Sequence, residues 1–316
     1  MRSSIAVCVC LCAMSGLASA QGTAVGVARY AVVAVIDHPD SFGVSAMHLN
    51  ERGQVAGRFR TRAECNAPEV SFVWSSGEFR LFSLPDAYST LAESVNDRGF
   101  VTGGFYVEPR PRDPATGRCL FAPRQGFVIS PEGEVSTLPW PTYHSVVNVM
   151  SPSGWIVGPM MESECDSSSE PGCVQGFLYD GRELIRIQVG ENPATDATDV
   201  NSSGDVVGSY SPNPSWIRGY RFRGGAYQLI DVPGAVHTLP TGINSAGDVV
   251  GSVSLPGKGW VPFIQKGGRY ALIELVGVAG LTRPTVWDVN DVGRISGWFT
   301  GADGRQVGFV ARPLLR

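Results

Sequence analysis

The chain has few charged residues, few histidines and no familiar catalytic motif. Charged residues make up 17% of its 316 residues, and there are four histidines. It has no G-x-S-x-G elbow, H-E-x-x-H or C-x-x-C pattern, and no P-loop or glycine-rich turn opening a helix. These absences argue against serine hydrolase, zinc and nucleotide chemistry, so we expect binding rather than catalysis. The net charge of −4 argues against a nucleic-acid binder, which needs a basic surface.

The N-terminus has the composition of an export signal. Arg2 precedes an apolar run at residues 5–14, and small residues at 18–20 form a cleavage pattern. The run is too short to span a bilayer as a helix, and no later run is long enough. We therefore predict a signal peptide at 1–20, a short leader at 21–29 and one domain at 30–316. The mature chain is expected in the periplasm or outside the cell, without membrane insertion.

Four cysteines remain after removal of the signal peptide. An even number in an exported chain favours disulfides, whereas zinc sites usually show closely spaced cysteine or histidine pairs. Cys165 and Cys173 lie in one loop, which predicts a local bond, and this leaves Cys65 to pair with Cys119. These bonds could staple inserted loops or shape a binding rim.

One nine-residue phrase, typified by "VNSSGDVVG" at residues 200–208, occurs six times. Its central glycines are 43 to 55 residues apart, a period typical of a propeller or a solenoid. Asparagine starts a turn, the central glycine allows a positive φ, and the apolar pair begins a strand. The closing glycine suits a close approach by another backbone or a bulky side chain. The central glycines are Gly53, Gly99, Gly154, Gly204, Gly247 and Gly293.

A second pattern follows each phrase and completes a blade. A glycine-aromatic strand such as "GFLY" at residues 176–179 leads through a turn into a further strand, giving four strands per repeat. The sixth repeat lacks its fourth strand, and residues 30–39 resemble the missing one. We therefore predict an all-β, six-bladed β-propeller whose last blade is closed by the N-terminal strand (3+1). An open solenoid is the alternative.

These phrases resemble the HAF-type extracellular repeat family, exported bacterial proteins named for a recurring His-Ala-Phe. The resemblance covers nearly the whole mature chain and implies export and a propeller-like array, but no catalytic residues. No histidine precedes the aromatic position here. That position is occupied by Phe72, Phe127, Phe177, Tyr220, Phe263 and Phe309.

Propeller geometry places the longer loops on one face, which we call the long-loop face. The segment from the closing glycine to the aromatic position is 12 residues long in repeats four, five and six. It is 15, 24 and 19 residues long in repeats one, two and three. Loops on a rigid scaffold often carry function. On this face we select as binding candidates three tryptophans, which could instead pack between blades, and two histidines, which could also act as bases or ligands. They are Trp216, Trp260, Trp298, His144 and His237.

The sequence predicts no metal site and no cofactor. Residues 199–205, "DVNSSGD", partly mimic a calcium loop, but the distant glutamate of such a loop is missing. In other repeats we expect Met47, Ser94 or Gly242 at the position equivalent to Asp199. His48 is expected in an innermost strand. The sequence thus predicts a monomeric, exported scaffold that binds an extracellular or envelope glycan or a protein. The alternative is a polysaccharide hydrolase or lyase with its site in the propeller mouth.

Overall fold

The computed structural model describes residues 25–163, 173–190, 194–213 and 215–314, and the predicted signal peptide lies outside them. Within these ranges the chain forms 25 β-strands and no helix. The expectation of an all-β protein is therefore confirmed.

In repeats one and two the strands pair with their neighbours in chain order, each antiparallel to the next. Repeat one has β2 (Gly43–Leu49), β3 (Val55–Arg60), β4 (Glu69–Ser75) and β5 (Glu78–Phe82); repeat two has β6 (Ser89–Val95), β7 (Val101–Tyr106), β8 (Gln125–Ile129) and β9 (Val135–Thr137). Repeat three has β10 (His144–Ser145), β11 (Val149–Met150), β12 (Ile156–Met161), β13 (Gln175–Tyr179) and β14 (Leu184–Ile187).

Repeats four and five have the same arrangement with longer strands. Repeat four has β15 (Ala194–Val200), β16 (Val206–Asn213), β17 (Trp216–Arg223) and β18 (Ala226–Ile230). Repeat five has β19 (His237–Ile243), β20 (Val249–Leu255), β21 (Gly259–Lys266) and β22 (Arg269–Val276).

The sixth repeat takes its outer strand from the N-terminus. It has β23 (Thr282–Val289), β24 (Ile295–Thr300) and β25 (Gln306–Pro313), and β25 pairs antiparallel with β1 (Gly26–Ile36). The expected pairing of opening and finishing segments is therefore present. However, β1 begins within the predicted leader, because its first residues pair in parallel with β22 of repeat five. The leader's last residues thus belong to the fold.

The inner strand of repeat three is split into β10 and β11, which raises the strand count above the expected 24. Here β12 carries Pro159 opposite Val146. The Val146 N–H donates to the Pro159 carbonyl at 3.2 Å, but a proline nitrogen has no hydrogen to donate in return. The ladder is therefore weakened at a place where the inner strands of the other repeats are bulged but remain unbroken.

The repeated phrase folds as its residues predict. In repeat one the Gly53 φ is +79°, as the tight turn requires. A Cβ placed on Gly57 would lie 2.3 Å from the Ser45 carbonyl oxygen and 2.5 Å from the Phe72 ring, so only glycine fits. Phe72 is fully buried, which contributes about 2 kcal/mol to the stability of the fold. The closing glycine and the aromatic position are thus two halves of one packing contact.

The turn asparagines also connect one repeat to the next. Asn50 Nδ2 donates to the Asn96 carbonyl at 3.3 Å, and Asn244 donates to the Asn290 carbonyl at 3.2 Å. Asn290 then donates to the Asn50 carbonyl at 3.3 Å, which links the sixth repeat to the first. The turns of the first and last repeats therefore lie side by side.

Candidate functional site

A cleft opens on the long-loop face where repeats one, two and three meet. Its volume is about 330 Å³, and we call it the inter-repeat cleft. It is lined by the loops after β3 and β7 and by the first residues of β6 and β10, and the side chains that carry its chemistry are Arg58, Glu69, Tyr88, Tyr106, Arg124 and His144.

Arg58 is the most firmly held charge in the inter-repeat cleft. Its Nε lies 3.0 Å from a Glu69 carboxylate oxygen, and its Nη1 lies 2.7 Å from a Glu93 oxygen. Burial opposes the charge, but Glu93 and Glu69 outweigh that effect and raise the pKa of Arg58 further above its usual value. The guanidinium is thus fixed by two carboxylates from neighbouring repeats.

His144 lies buried beside Arg124 and is neutral at physiological pH. Its Nδ1 accepts a hydrogen bond from the Arg124 backbone N–H at 3.0 Å. Burial, followed by the charge of Arg124, lowers the pKa of His144 to about 4. The Arg124 guanidinium lies 5.9 Å from the centre of the Tyr106 ring and 3.7 Å from a Glu93 oxygen. This wall therefore combines aromatic faces with one cation that is less tightly paired than Arg58.

Asp196, on inner strand β15, is close enough to interact with the charges of the cleft. Burial raises its pKa to about 6, with Arg124 lowering it and Glu93 raising it. Its Oδ1 is buried and has no hydrogen-bond partner. A carboxyl group in this state can exchange a proton near neutral pH, which is the property required of a general acid or base.

A disulfide joins the two loops that form one side of the cleft. Cys65 is bonded to Cys119 with Cα atoms 5.9 Å apart, which confirms the predicted pairing of repeats one and two. Cys173 is also disulfide-bonded, but its predicted partner Cys165 lies outside the described residues. The first bond holds the cleft's loops together across neighbouring repeats.

Three of the predicted binding residues lie together elsewhere on the long-loop face. The His237 ring stacks on Trp260 with centroids 5.7 Å apart, and its Nδ1 accepts the Ile217 N–H, next to Trp216. Trp216 and Trp260 are each about half exposed, at 48% and 47%. We call Trp216, His237 and Trp260 the tryptophan patch.

The other two predicted binding residues lie apart from the patch. His144 belongs to the inter-repeat cleft. Trp298 is partly buried against Trp287, with ring centroids 5.3 Å apart. The five residues selected from the sequence therefore do not form one site.

Glu93 and Arg124 are not among the residues predicted from the sequence. Glu93 is an acid within β6, a strand whose seven residues are all buried, and a charge there needs a partner. That contrast was visible in the sequence and could have identified it. Arg124 has no comparable sequence signal, because only the fold places it beside His144.

Among the described residues, one group of three potential metal ligands comes together, formed by His48, Asp199 and Asp288. This group is not predicted from the sequence, because Met47 is expected at the position equivalent to Asp199. The pairings Leu49–Val55 and Val200–Val206 show that His48 is the equivalent residue. Within the same ranges, no helix is long and apolar enough to cross a membrane.

The sequence matches no protein-family model and no curated protein. The structure is similar to a mutant of AofleA from Arthrobotrys oligospora, with 8% identity, coverage of 88% of this chain and 89% of that one, and a TM-score of 0.50. It is also similar to the β-propeller domain of the Trilobed protease from Pyrococcus furiosus (14% identity, 73% and 67% coverage, TM-score 0.47). A lectin from Aleuria aurantia is similar at 10% identity, 84% and 91% coverage and a TM-score of 0.48. The chain is thus an all-β protein with β-propeller neighbours.

Proposed function

We propose that this chain is an exported, monomeric, six-bladed β-propeller that binds an extracellular or envelope glycan in the inter-repeat cleft. The closed ring is supported by the pairing of β1 with β25 and by the hydrogen bond from Asn290 to the Asn50 carbonyl. Export is supported by the sequence of residues 1–20 and by a disulfide, which persists mainly in oxidising compartments. We also keep membership of the HAF-type family as a proposal.

The observation that carries the binding proposal is the fixed polar surface of the cleft. Arg58 is already paired with Glu69 and Glu93, so its guanidinium needs little ordering when a ligand arrives. Tyr106 and Phe121 also line the cleft, and aromatic faces pack well against sugar rings. A volume of about 330 Å³ is at the lower end of small-molecule pockets, which suits one or two sugar units.

The disulfide supports binding because it preorganises the cleft. Cys65 and Cys119 tie the two long loops together before any ligand binds, and Tyr88 Oη donates to the Asn66 carbonyl at 2.8 Å beside them. A site that is rigid beforehand loses less conformational entropy on binding.

The test is a glycan array with the mature protein, followed by titration calorimetry on the glycans that bind. Arg124→Ala should weaken binding by about tenfold or more, the usual effect of losing a charged hydrogen-bond donor. Trp216→Ala tests the tryptophan patch, and Arg294→Ala, near the turns of the opposite face, is the control. If folded wild-type protein binds no glycan, the proposal fails. If Trp216→Ala abolishes binding and Arg124→Ala does not, the site belongs to the tryptophan patch.

A polysaccharide hydrolase or lyase is the second candidate, and Asp196 is the observation that favours it. Its raised pKa and unpartnered Oδ1, near the charges of Glu93 and Arg124, suit a proton-transfer role. Glycans that bind should be incubated with wild-type protein and with Asp196→Asn. Turnover by wild type that is lost in the variant would support catalysis, whereas unchanged glycan after long incubation would exclude it for those substrates.

A further inference from the structure

Three side chains with metal-binding chemistry meet on the face opposite the inter-repeat cleft. His48, Asp199 and Asp288 occupy the same repeat position, immediately before the last residue of inner strands β2, β15 and β23. One ligand atom from each lies within 4.8 Å of the others, and His48 Nε2 is 3.4 Å from Asp288 Oδ2. They come from repeats one, four and six and are far apart in sequence.

Backbone hydrogen bonds hold both carboxylates in place. Asp199 accepts the N–H groups of Val200 at 2.7 Å and Ile243 at 2.6 Å. Asp288 accepts those of Val289 at 2.7 Å and Leu49 at 2.8 Å. Each aspartate thus bridges to the next inner strand, and this fixes its oxygens before any ligand binds.

No arginine or lysine neutralises this pair in the described part of the chain. Asp199 and Asp288 are both 2% exposed, and the basic side chain beside Asp288 is His48. His48 Nδ1 is itself buried without a hydrogen-bond partner. A bound cation would offset the charge of these two buried carboxylates, because buried charges are normally paired or coordinate a metal.

A pocket connects His48 and Asp199 to solvent, and Asp288 lies directly behind them. The volume of the pocket is about 240 Å³, and it is lined by the turns of all six repeats, including Asn50 and Asn290. The side chain of His48 is 17% exposed, so the cluster is accessible from this pocket. In repeat five the equivalent residue is Gly242, where a Cβ would lie 2.8 Å from Asp288 Oδ1. Glycine therefore leaves room for the aspartate.

We propose that His48, Asp199 and Asp288 bind a first-row divalent transition metal such as Zn²⁺. An imidazole nitrogen combined with two carboxylate oxygens suits Zn²⁺ or Mn²⁺, whereas Ca²⁺ and Mg²⁺ prefer oxygen ligands alone. Water from the pocket fills the remaining coordination positions. The metal links repeats one, four and six, so its role includes stabilising the ring, and it does not depend on glycan binding at the other face.

The test is calorimetric titration of chelator-treated full-length mature protein with ZnCl₂ and, separately, with MnCl₂ and CaCl₂. We expect one equivalent of Zn²⁺ and at least a tenfold weaker affinity in Asp288→Asn. Asp291→Asn is the matched control, because it removes an exposed acid that lines the same pocket. Zn²⁺ should also raise the Tm of wild type and of Asp291→Asn, but not that of Asp288→Asn.

Two further measurements apply if Asp288→Asn does not fold. His48→Gln should fold, because His48 lies at the edge of the pocket with its side chain 17% exposed and glutamine is polar and similar in length, and it should also lose at least tenfold in affinity. Co²⁺ added to wild type should give visible absorption bands with the same stoichiometry. The proposal is overturned if folded wild type binds neither Zn²⁺ nor Mn²⁺, if it prefers Ca²⁺, or if Asp291→Asn weakens binding as much as the ligand variants.

Discussion

Replacing Cys65 and Cys119 by serine should lower the free energy of unfolding by up to about 4 kcal/mol. The bond closes a loop with a sequence separation of 54 residues, and cross-linking a loop of that length removes about 14 cal/mol/K of entropy from the unfolded chain. At 25 °C this corresponds to about 4 kcal/mol. The native fold should persist, because Glu69 N–H still donates to Ser89 Oγ at 2.9 Å between the same two repeats.

The assay is equilibrium unfolding in guanidinium chloride, monitored by tryptophan fluorescence, of the wild type and the double variant. The bond at Cys173 is present in both proteins, so the comparison isolates one cross-link. A loss below about 1 kcal/mol would refute the reasoning, because the bond would then not restrict the unfolded chain as the loop-entropy relation requires. Single cysteine-to-serine variants under reducing conditions would show whether serine itself is tolerated.

Two further predictions concern packing and pH. Gly103→Ala should lower the free energy of unfolding by several kcal/mol, because the new Cβ would lie 2.0 Å from the Leu91 carbonyl oxygen. The neighbouring variant Gly104→Ala should lower it by about 1 kcal/mol or less, because no atom lies nearer than 3.4 Å to its Cβ. Thermal unfolding of both variants checks this, and equal losses of stability would contradict it. Asp196 has a folded pKa near 6, above its ordinary 3.8, so its protonated form favours the fold and the stability it contributes is lost as pH rises from about 4 to 7. The free energy of unfolding of Asp196→Asn should therefore rise by up to roughly 3 kcal/mol relative to that of wild type over this pH range, despite the opposing effect of Arg124. A difference in unfolding free energy that does not change with pH would contradict the assigned pKa.

Features caused by local chemistry could be predicted from the sequence. The turn that contains Gly53 needs a positive φ, and the close contact of Gly57 with Phe72 needs the absence of a side chain. Both requirements act within one repeat and recur six times. The N-terminal strand was also predictable, because the sixth repeat lacks an outer strand. Its start at Gly26 was not, because it depends on pairing with β22 in another repeat.

The candidate sites could not be predicted in the same way, because they depend on contacts between repeats. Arg58 and Glu93 form an ion pair at 2.7 Å across a repeat boundary. His48 and Asp288 are separated by most of the chain, yet they meet when the first and last repeats lie side by side. Spacing along the sequence carries no information about such a convergence until the ring is assumed and the repeats are aligned residue by residue.

Positions that the fold constrains and positions that it leaves free can be separated in this chain. The closing position of the phrase is glycine in all six repeats, because a Cβ there would meet the carbonyl oxygen of the paired inner strand at 1.9 to 2.3 Å. The position immediately before the last residue of the inner strand is different: across the six repeats it is occupied by five residue types. Strand pairing therefore does not dictate its side chain. Three of the six residues are the histidine and aspartates that face one another. Hydrogen bonds to the next inner strand account for each aspartate singly, whereas the proposed metal site accounts for all three side chains together. The six are His48, Ser94, Val149, Asp199, Gly242 and Asp288.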